Sequence, residues 1–447
     1  MPELINNGII ETLARFLPKP LATKLTEIGP LRYFFHTGWN LAGKVINLIV
    51  SFFVSIYVVR YFGPENWGLL SYVVSFTGIF SFLASLGVDS ILYVDLIKSP
   101  QDRDSLMGSA FLLKLFGGIT AFVLVLIFSI LSRNNFYTNI LMAVVASAFF
   151  FQPFNVINLY FQANVQAKPV VLLSLISSIS LSALKILFVF MHLSIKYFAL
   201  LYLAEVVLLA IGYIYIYYKA NLNIFNWKRS WVLSKTMLKV SWPLIVSSAF
   251  AYIYTRIDQV MLKQMLGQTS VGLYDTGVRL AEAWYVFPSI IIGSMFPAII
   301  NAKKTNFQMF ENRLVKLYRY TVYLALLFIV PISFLAPFII QILYGESFAQ
   351  SADVLKIYVW AGISVTLATV INQYLISEKL TTTALFLNFF GMASNILINL
   401  YAIPKYGMSG AAWATLISYS LIPFGIIFFK SARGQLKYIY RALLWMF

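Results

Sequence analysis

Five ionisable residues stand where hydrocarbon should reject them. Arg256 and Asp258 lie in one apolar run, Asp275, Arg279 and Glu282 in the next, and the turn-like Gly267-Gln268-Thr269-Ser270 separates the two. A charge in the middle of a membrane span costs about 2.5–3.5 kcal/mol on insertion scales, so such a cluster is a functional site by default. A guanidinium offers a planar fork suited to phosphate oxygens, and carboxylates beside it balance charge or carry protons. Arg256 is eight residues from Gln264 and Arg279 eight from Val271, which puts both about 12 Å below the same end of their spans at 1.5 Å per residue. Asp275, Arg279 and Glu282 follow at i, i+4 and i+7, on one helix face. Asp258, two residues from Arg256, points nearly the opposite way. Two readings stand. Either Asp275 or Glu282 satisfies Arg279 internally and ties helices together, or the arginines line a polar wall that meets an anion.

Further cations and acids sit inside apolar runs: Lys114, Lys185 and Glu205, with Lys44 and Asp89 nearer the ends of theirs. Lys44 is either a snorkelling anchor or a cavity cation. Asp89, after Gly87, either closes its span or shares in charge balance. Nothing points to bond-making chemistry. There is no cysteine, and the two histidines, His36 and His192, are far apart, so no metal site is expected. A phosphate loop ending in Lys-Ser/Thr and an H-E-x-x-H zinc pattern are both missing. No catalytic residue and no cofactor are therefore assigned.

These residues must be positioned by membrane helices. Of the 447 residues 60% are hydrophobic and 11% charged, against roughly 25% charged in soluble domains, and mean hydropathy is +0.81. Isolated apolar strands cannot satisfy their edges in lipid, so the fold is all-α and polytopic. Segments of spanning length recur at 41–61, 68–92, 106–131, 137–160, 169–191, 197–218, 239–264, 271–298, 317–343, 352–376, 381–402 and 408–429. That reads as 12 transmembrane helices. The expected units are an interfacial N-terminal segment 1–40, a six-helix bundle 41–218, a linker 219–238, a second six-helix bundle 239–429 and a tail 430–447.

The formal charge of +17 comes from basic residues spread over short loops. That fits the positive-inside rule and contact with anionic membrane lipids, not a nucleic-acid footprint. Lys219, Lys228, Arg229 and Lys235, then Lys303, Lys304, Arg313 and Lys316, then Lys430, Arg433, Lys437 and Arg441 gather on one side. Both termini are thereby expected in the cytoplasm.

An internal repeat divides the chain. The glycine pair Gly63 and Gly68 is spaced like Gly267 and Gly272, at an offset of 204 residues. Both pairs mark the turn between the first two helices of a half, and equal orientation of six-helix halves implies parallel repeats about an axis along the membrane normal. Carrying Arg256, Asp258, Asp275, Arg279 and Glu282 back by the same offset gives Phe52, Val54, Ser71, Ser75 and Gly78. The halves are thus chemically unequal, which a purely structural ion network would not require.

Arg60 to Gly68 (RYFGPENWG), Leu86-Gly87-Val88-Asp89, Arg256 to Leu262 (RIDQVML), Val271 to Tyr274 and Tyr406 to Ala412 together resemble the bacterial polysaccharide or O-antigen flippases of the multidrug/oligosaccharidyl-lipid/polysaccharide exporter superfamily. The resemblance implies two pseudo-symmetric bundles around a central V-shaped cavity. It implies a flippase for undecaprenyl-pyrophosphate-linked oligosaccharide in the bacterial plasma (inner) membrane, with proton or sodium coupling. Arg256 and Arg279 would bind substrate, with Lys44, Lys114 and Lys185 as weaker carry-overs. Asp258, Asp275, Glu282, Glu205 and Asp89 would serve in coupling or charge balance. Polysaccharide polymerase and chain-length machinery are the further partners it implies. Gly43 stands where relatives often carry an acid, which weakens a coupling role near Lys44. A multidrug exporter of the same fold and a membrane glycan polymerase or ligase are the alternatives.

Overall fold

The computed structural model describes residues 28–444; most of the expected interfacial segment, residues 1–27, and residues 445–447 lie outside the described residues. Among the described residues the chain is helical and holds no strand. In order, the helices are α1 Ile28–Ile79, α2 Ser81–Ser85, α3 Val88–Lys98, α4 Arg103–Leu131, α5 Phe136–Ala146, α6 Asn155–Ala163, α7 Ala167–Phe190 and α8 Ile195–Lys219. Then come α9 Trp231–Leu266, α10 Gln268–Glu282, α11 Val286–Thr305, α12 Phe307–Tyr344, α13 Ser351–Tyr358, α14 Ala361–Ser377, α15 Thr381–Gly425 and α16 Gly434–Leu444. Among the described residues nine stretches are long and apolar enough to cross a membrane, or ten when α13 and α14, bent by 41°, count as one.

Two of those stretches hide a turn. Helix α1 is broken by Gly63 (φ 67°, ψ 175°) and α15 by Gly407 (φ 61°, ψ −138°). Gly267 (φ 90°, ψ 176°) between α9 and α10 adopts nearly the backbone of Gly63, as does Gly345 (φ 88°, ψ −179°) after α12. Positive φ with extended ψ is open essentially to glycine alone. Pro64 follows Gly63 at the first helical position, where its missing N–H costs nothing.

Gly68 and Gly272 have a different role. A Cβ on Gly68 would lie 1.8 Å from the Gln268 carbonyl oxygen, and one on Gly272 would lie 2.0 Å from the Pro64 carbonyl oxygen. The contact is reciprocal: Pro64 and Gln268 are themselves 204 apart, as are Gly68 and Gly272. Helices α1 and α10 thus cross backbone to backbone at equivalent points. The breaks correspond too, since α1 ends beside Phe80 and α10 gives way at 283–285, straddling the residue 204 beyond Phe80.

The apolar core follows this crossing. One cluster at the glycine-turn end joins both parts of the chain, holding Val59, Leu70 and Ile195 with Leu262, Tyr344 and Ile403. Away from the turns it divides. Val88, Met107, Ile157 and Tyr217 form one cluster, and Ile292, Leu317, Ile371 and Ile439 another. The core is continuous at one end and split at the other.

Several helices outrun the apolar segments. Helix α9 begins at Trp231, capped by Ser230, whose Oγ accepts from the Leu233 N–H, so the non-helical linker is shorter than the expected 219–238. It is held to α4, where Lys228 N–H donates to the Asp104 carbonyl (3.0 Å) and Ser230 N–H to Ser109 Oγ (3.1 Å). Helix α12 begins at Phe307 behind an Asn306 cap. The tail expected at 430–447 contains α16, tied to α12 by Tyr318 donating to Gln435 Oε1 (3.0 Å) and Tyr438 to Glu311 (2.9 Å).

The crossing yields a paired prediction. Gly68→Ala places a methyl into a carbonyl and should cost about 1–3 kcal/mol, as overpacking does. Gly78→Ala, in the same helix with nothing within 4 Å of its Cβ, should be neutral or stabilise by up to about 1 kcal/mol. Thermal unfolding of the purified protein in micelles measures both; equal shifts would contradict the crossing.

Candidate functional site

The structure distributes the sequence-derived site residues over three places. At the crossing, Asp275 is 2% exposed and accepts on both oxygens. Trp67 Nε1 (2.9 Å), Ser71 Oγ (3.0 Å) and Arg279 Nε (2.6 Å) donate to Oδ2, and Gln259 Nε2 (3.0 Å) donates to Oδ1. Ser75 Oγ in turn donates to Gln259 Oε1 (2.5 Å). Trp67, Ser71 and Ser75 rise one turn apart along α1, while Gln259, Asp275 and Arg279 come from α9 and α10. The Arg279 guanidinium also lies over the Trp67 ring, 4.9 Å from its centroid. The internal pairing of Arg279 with Asp275 is therefore present, yet only Nε is used, and the side chain remains 36% exposed.

Glu282, one turn on, accepts from Tyr358 OH (2.8 Å) and lies within electrostatic range of Arg256 and Arg279. Arg256 is half-buried on α9, with no hydrogen bond or ion pair among the described residues. An unpaired guanidinium in a span is costly unless something else meets it.

Asp258 belongs to neither arginine. It is buried, and its carboxylate accepts from Asn399 Nδ2 (2.5 Å), Tyr274 OH (2.8 Å) and Thr415 Oγ. Asn399 Nδ2 also donates to Asn395 Oδ1 (3.1 Å), and Asn399 Oδ1 is buried with no partner among the described residues. Helices α9, α10 and α15 thus enclose one carboxylate with neutral donors only. Hydroxyls rotate, so Tyr274 and Thr415 can donate to an ionised Asp258 or accept from a protonated one.

The third place lies across the core. Lys114, 3% exposed, donates to Asp89 Oδ1 at 2.6 Å, joining α4 to α3. The remaining residues stand apart: Lys185 Nζ is 5.9 Å from the Tyr202 ring centroid, while Lys44, exposed, and Glu205, half-buried, have no hydrogen bond or ion pair among the described residues. No cluster of three His, Cys, Asp or Glu able to hold a metal occurs among the described residues.

Sequence reasoning missed Trp67 and Gln259 as partners of Asp275, and Tyr274, Asn399 and Thr415 around Asp258. One signal was available. Asn395 and Asn399 are amides one turn apart inside an apolar span, and such polar side chains act as interhelical glue.

Helices of spanning length, glycine-only turns and ionisable groups satisfied inside the helices define a polytopic all-α membrane protein. Residues 36–303 match the family described as Polysaccharide biosynthesis protein, and the chain belongs to that family. It is 22% identical over 222 residues to the probable low-salt glycan biosynthesis flippase Agl15 of Haloferax volcanii, covering 49% of this chain and 46% of that protein. It is 20% identical over 404 residues to the capsular polysaccharide biosynthesis protein CapF of Staphylococcus aureus, covering 85% of this chain and 94% of that one. The chain thus spans about half the length of the first relative and nearly all of the second.

Among solved structures it resembles the inward-facing form of a multidrug resistance MATE family transporter of the MOP superfamily, with a TM-score of 0.71 at 15% identity over 88% of this chain and 96% of that one. It also resembles the lipid II flippase MurJ in an inward closed conformation, with a TM-score of 0.66 at 17% identity over 92% and 91%. Family and fold point to a transporter of the flippase kind rather than a catalytic enzyme.

The buried carboxylate at the crossing gives a second paired prediction. Asp275→Ala strands four donors, one charged, and should cost about 3–5 kcal/mol. Ser71→Ala removes one of the four bonds to that carboxylate and should cost less, about 1.5–3 kcal/mol. Thermal unfolding in micelles ranks them; equal or inverted costs would show that Asp275 is not the hub.

Proposed function

We propose that this protein translocates undecaprenyl-pyrophosphate-linked oligosaccharide across the bacterial plasma membrane by ion-coupled alternating access. In this reading α1 is divided at Gly63 and α15 at Gly407 and each broken helix is one span, for twelve spans in two halves, and the basic clusters put both termini in the cytoplasm. The halves meet at the glycine crossing on the outer side, and the split core leaves room for movement on the inner side. The glycan passes between the halves while the lipid tail stays in the bilayer.

The observation that carries the reading is Arg256. It is a span guanidinium without a partner among the described residues, within electrostatic range of the same carboxylate as Arg279, whose terminal nitrogens are also unused. Two such forks suit a pyrophosphate. The family match and the near-complete overlap with CapF support a glycan lipid as cargo. Asp258, surrounded by hydroxyls and amides that suit either protonation state, is the coupling carboxylate of this reading, through a proton or sodium.

Proteoliposomes with undecaprenyl-pyrophosphoryl oligosaccharides and imposed proton or sodium gradients test this. Arg256→Ala and Arg279→Ala should each lower kcat/KM about ten- to a hundredfold, the worth of a charge-assisted hydrogen bond. Normal translocation in both, with insertion verified, would sink the anion site. Asp258→Asn should keep downhill movement but lose its response to the gradient; a retained response would place coupling elsewhere.

A further inference from the structure

A cavity of about 280 Å³ lies between α3, α4 and α8, on the side of the crossing where the core is split. Two discontinuous helices build it. The α1–α3 run breaks at Leu86 (φ 48°) and Gly87 (φ 59°), and the α5–α6 run breaks through two 3₁₀ turns around Pro153. Both are clamped to α4 by adjacent glycines. A Cβ on Gly117 would lie 2.0 Å from the Leu83 carbonyl oxygen, and one on Gly118 would lie 2.5 Å from the Phe149 carbonyl oxygen. Irregular backbone at membrane depth is tolerated where it lines a cavity, and broken helices are where transporters place substrate.

The lining is mixed, with Val206 and Leu209 among its apolar members, and its polar side chains carry no net charge. Lys114 is consumed by Asp89, but the carboxylate remains 37% exposed and keeps acceptor capacity. Asn155 Oδ1 accepts from Asn158 (2.9 Å), which leaves its amide hydrogens available. Ser85 Oγ donates to the Phe82 carbonyl (3.2 Å) and so still accepts. Gln152 and Ser81 line the same space with no side-chain hydrogen bond among the described residues. Aromatic rings close it: Phe151, Tyr213 and Tyr252, the last from α9 across the split.

An anion entering would have to displace Asp89 from Lys114, and a cation would compete with Lys114 for Asp89, so either works against the ion pair already in place. Alternating donors and acceptors beside flat apolar rings instead match vicinal hydroxyls on a ring with a CH-rich face. The volume is at the small end of ligand sites, which run from about 300 Å³ upward, so it holds one ring and not a repeat unit.

We propose that this cavity is a monosaccharide subsite that takes one neutral sugar ring of the cargo, with Asp89, Gln152 and Asn155 on its hydroxyls and Tyr252 over its face. The proposal rests on the flippase reading and adds to it a separate recognition point for glycan, away from the arginines. Lys114 is a positioning residue that fixes Asp89. Tyr252 comes from the other side of the split, so the subsite loses one wall when the two sides part.

The chain has no cysteine, so Ser85→Cys introduces a unique thiol. Its reaction with a small methanethiosulfonate reagent is followed in proteoliposomes holding undecaprenyl pyrophosphates that carry one neutral hexose or N-acetylhexosamine. At about ten times the half-saturating level, labelling should slow about tenfold, in line with the unoccupied fraction of a single site. Undecaprenyl pyrophosphate without sugar should leave the rate unchanged. Equal protection by the sugar-free lipid, protection by no sugar tested, or a thiol the reagent never reaches each overturns the subsite. Wild-type translocation is measured alongside. If it proceeds while protection fails, the subsite falls and the flippase reading stands; if no glycan lipid moves, both fall. A second variant, Gln152→Ala, should raise KM for the glycan lipid several-fold with kcat held, and an unchanged KM counts against the site.

Discussion

Everything else in the structure depends on the approach of α1 to α10 at Gly68 and Gly272. Within a bilayer, apolar side chains gain little by leaving lipid for one another, so helix association rests on close packing and polar contacts. The crossing supplies both. Two glycines let carbonyl oxygens sit where side chains would otherwise stand, and Asp275 gathers donors from both sides of the contact. The core is continuous here and divided elsewhere, so this end acts as the joint of the molecule.

How Asp275 is satisfied bears on whether the joint can open. Its charged partner, Arg279, is one turn along the same helix and travels with it. The donors across the contact, Trp67 and Ser71, are neutral. Parting α1 from α9 and α10 would break hydrogen bonds from neutral donors only, Trp67 and Ser71 to Asp275, Gln268 to Glu65 and Ser75 to Gln259, and would leave the ion pair whole. The same economy holds elsewhere. Asp89 has Lys114 within its own part of the chain, and Asp258 is surrounded by neutral groups on α10 and α15. Arg256, like Lys44 and Glu205, has no such partner among the described residues.

Local features were legible in the sequence. Asp275 and Arg279 at i, i+4 could be read as a pair, and Gly63 and Gly267 as turns, because each depends on residues a few positions apart. Hydropathy located the apolar segments but not the helix ends, since it registers the thickness of hydrocarbon and not the last hydrogen bond; the caps at Ser230 and Asn306 set those ends. Partners far apart in sequence, such as Trp67 for Asp275 or Asn399 for Asp258, carry no periodic signal. Gly68 and Gly272 show a subtler limit. Their spacing from Gly63 and Gly267 suggested turn residues, yet the helix continues through both, and what they provide is contact.

That contact also revises the meaning of the unequal halves. Residues 204 apart touch at the crossing: Gly68 meets the strand of backbone around Gly272, and Ser71 donates to Asp275. Positions at the same place in a repeat that touch one another are constrained by what a copy of themselves would do there. Glycine tolerates its copy, because two flat backbones can approach from either side. A carboxylate does not, because its copy would be a second anion at hydrogen-bond distance, and like charges so placed cannot both stay ionised. One position of the pair therefore has to be a donor, and serine is the smallest that fills the role. Once one member of the pair is the carboxylate Asp275, the asymmetry with Ser71 follows from their contact. No such constraint explains the difference away from that contact, where Arg256 has a phenylalanine, Phe52, as its counterpart.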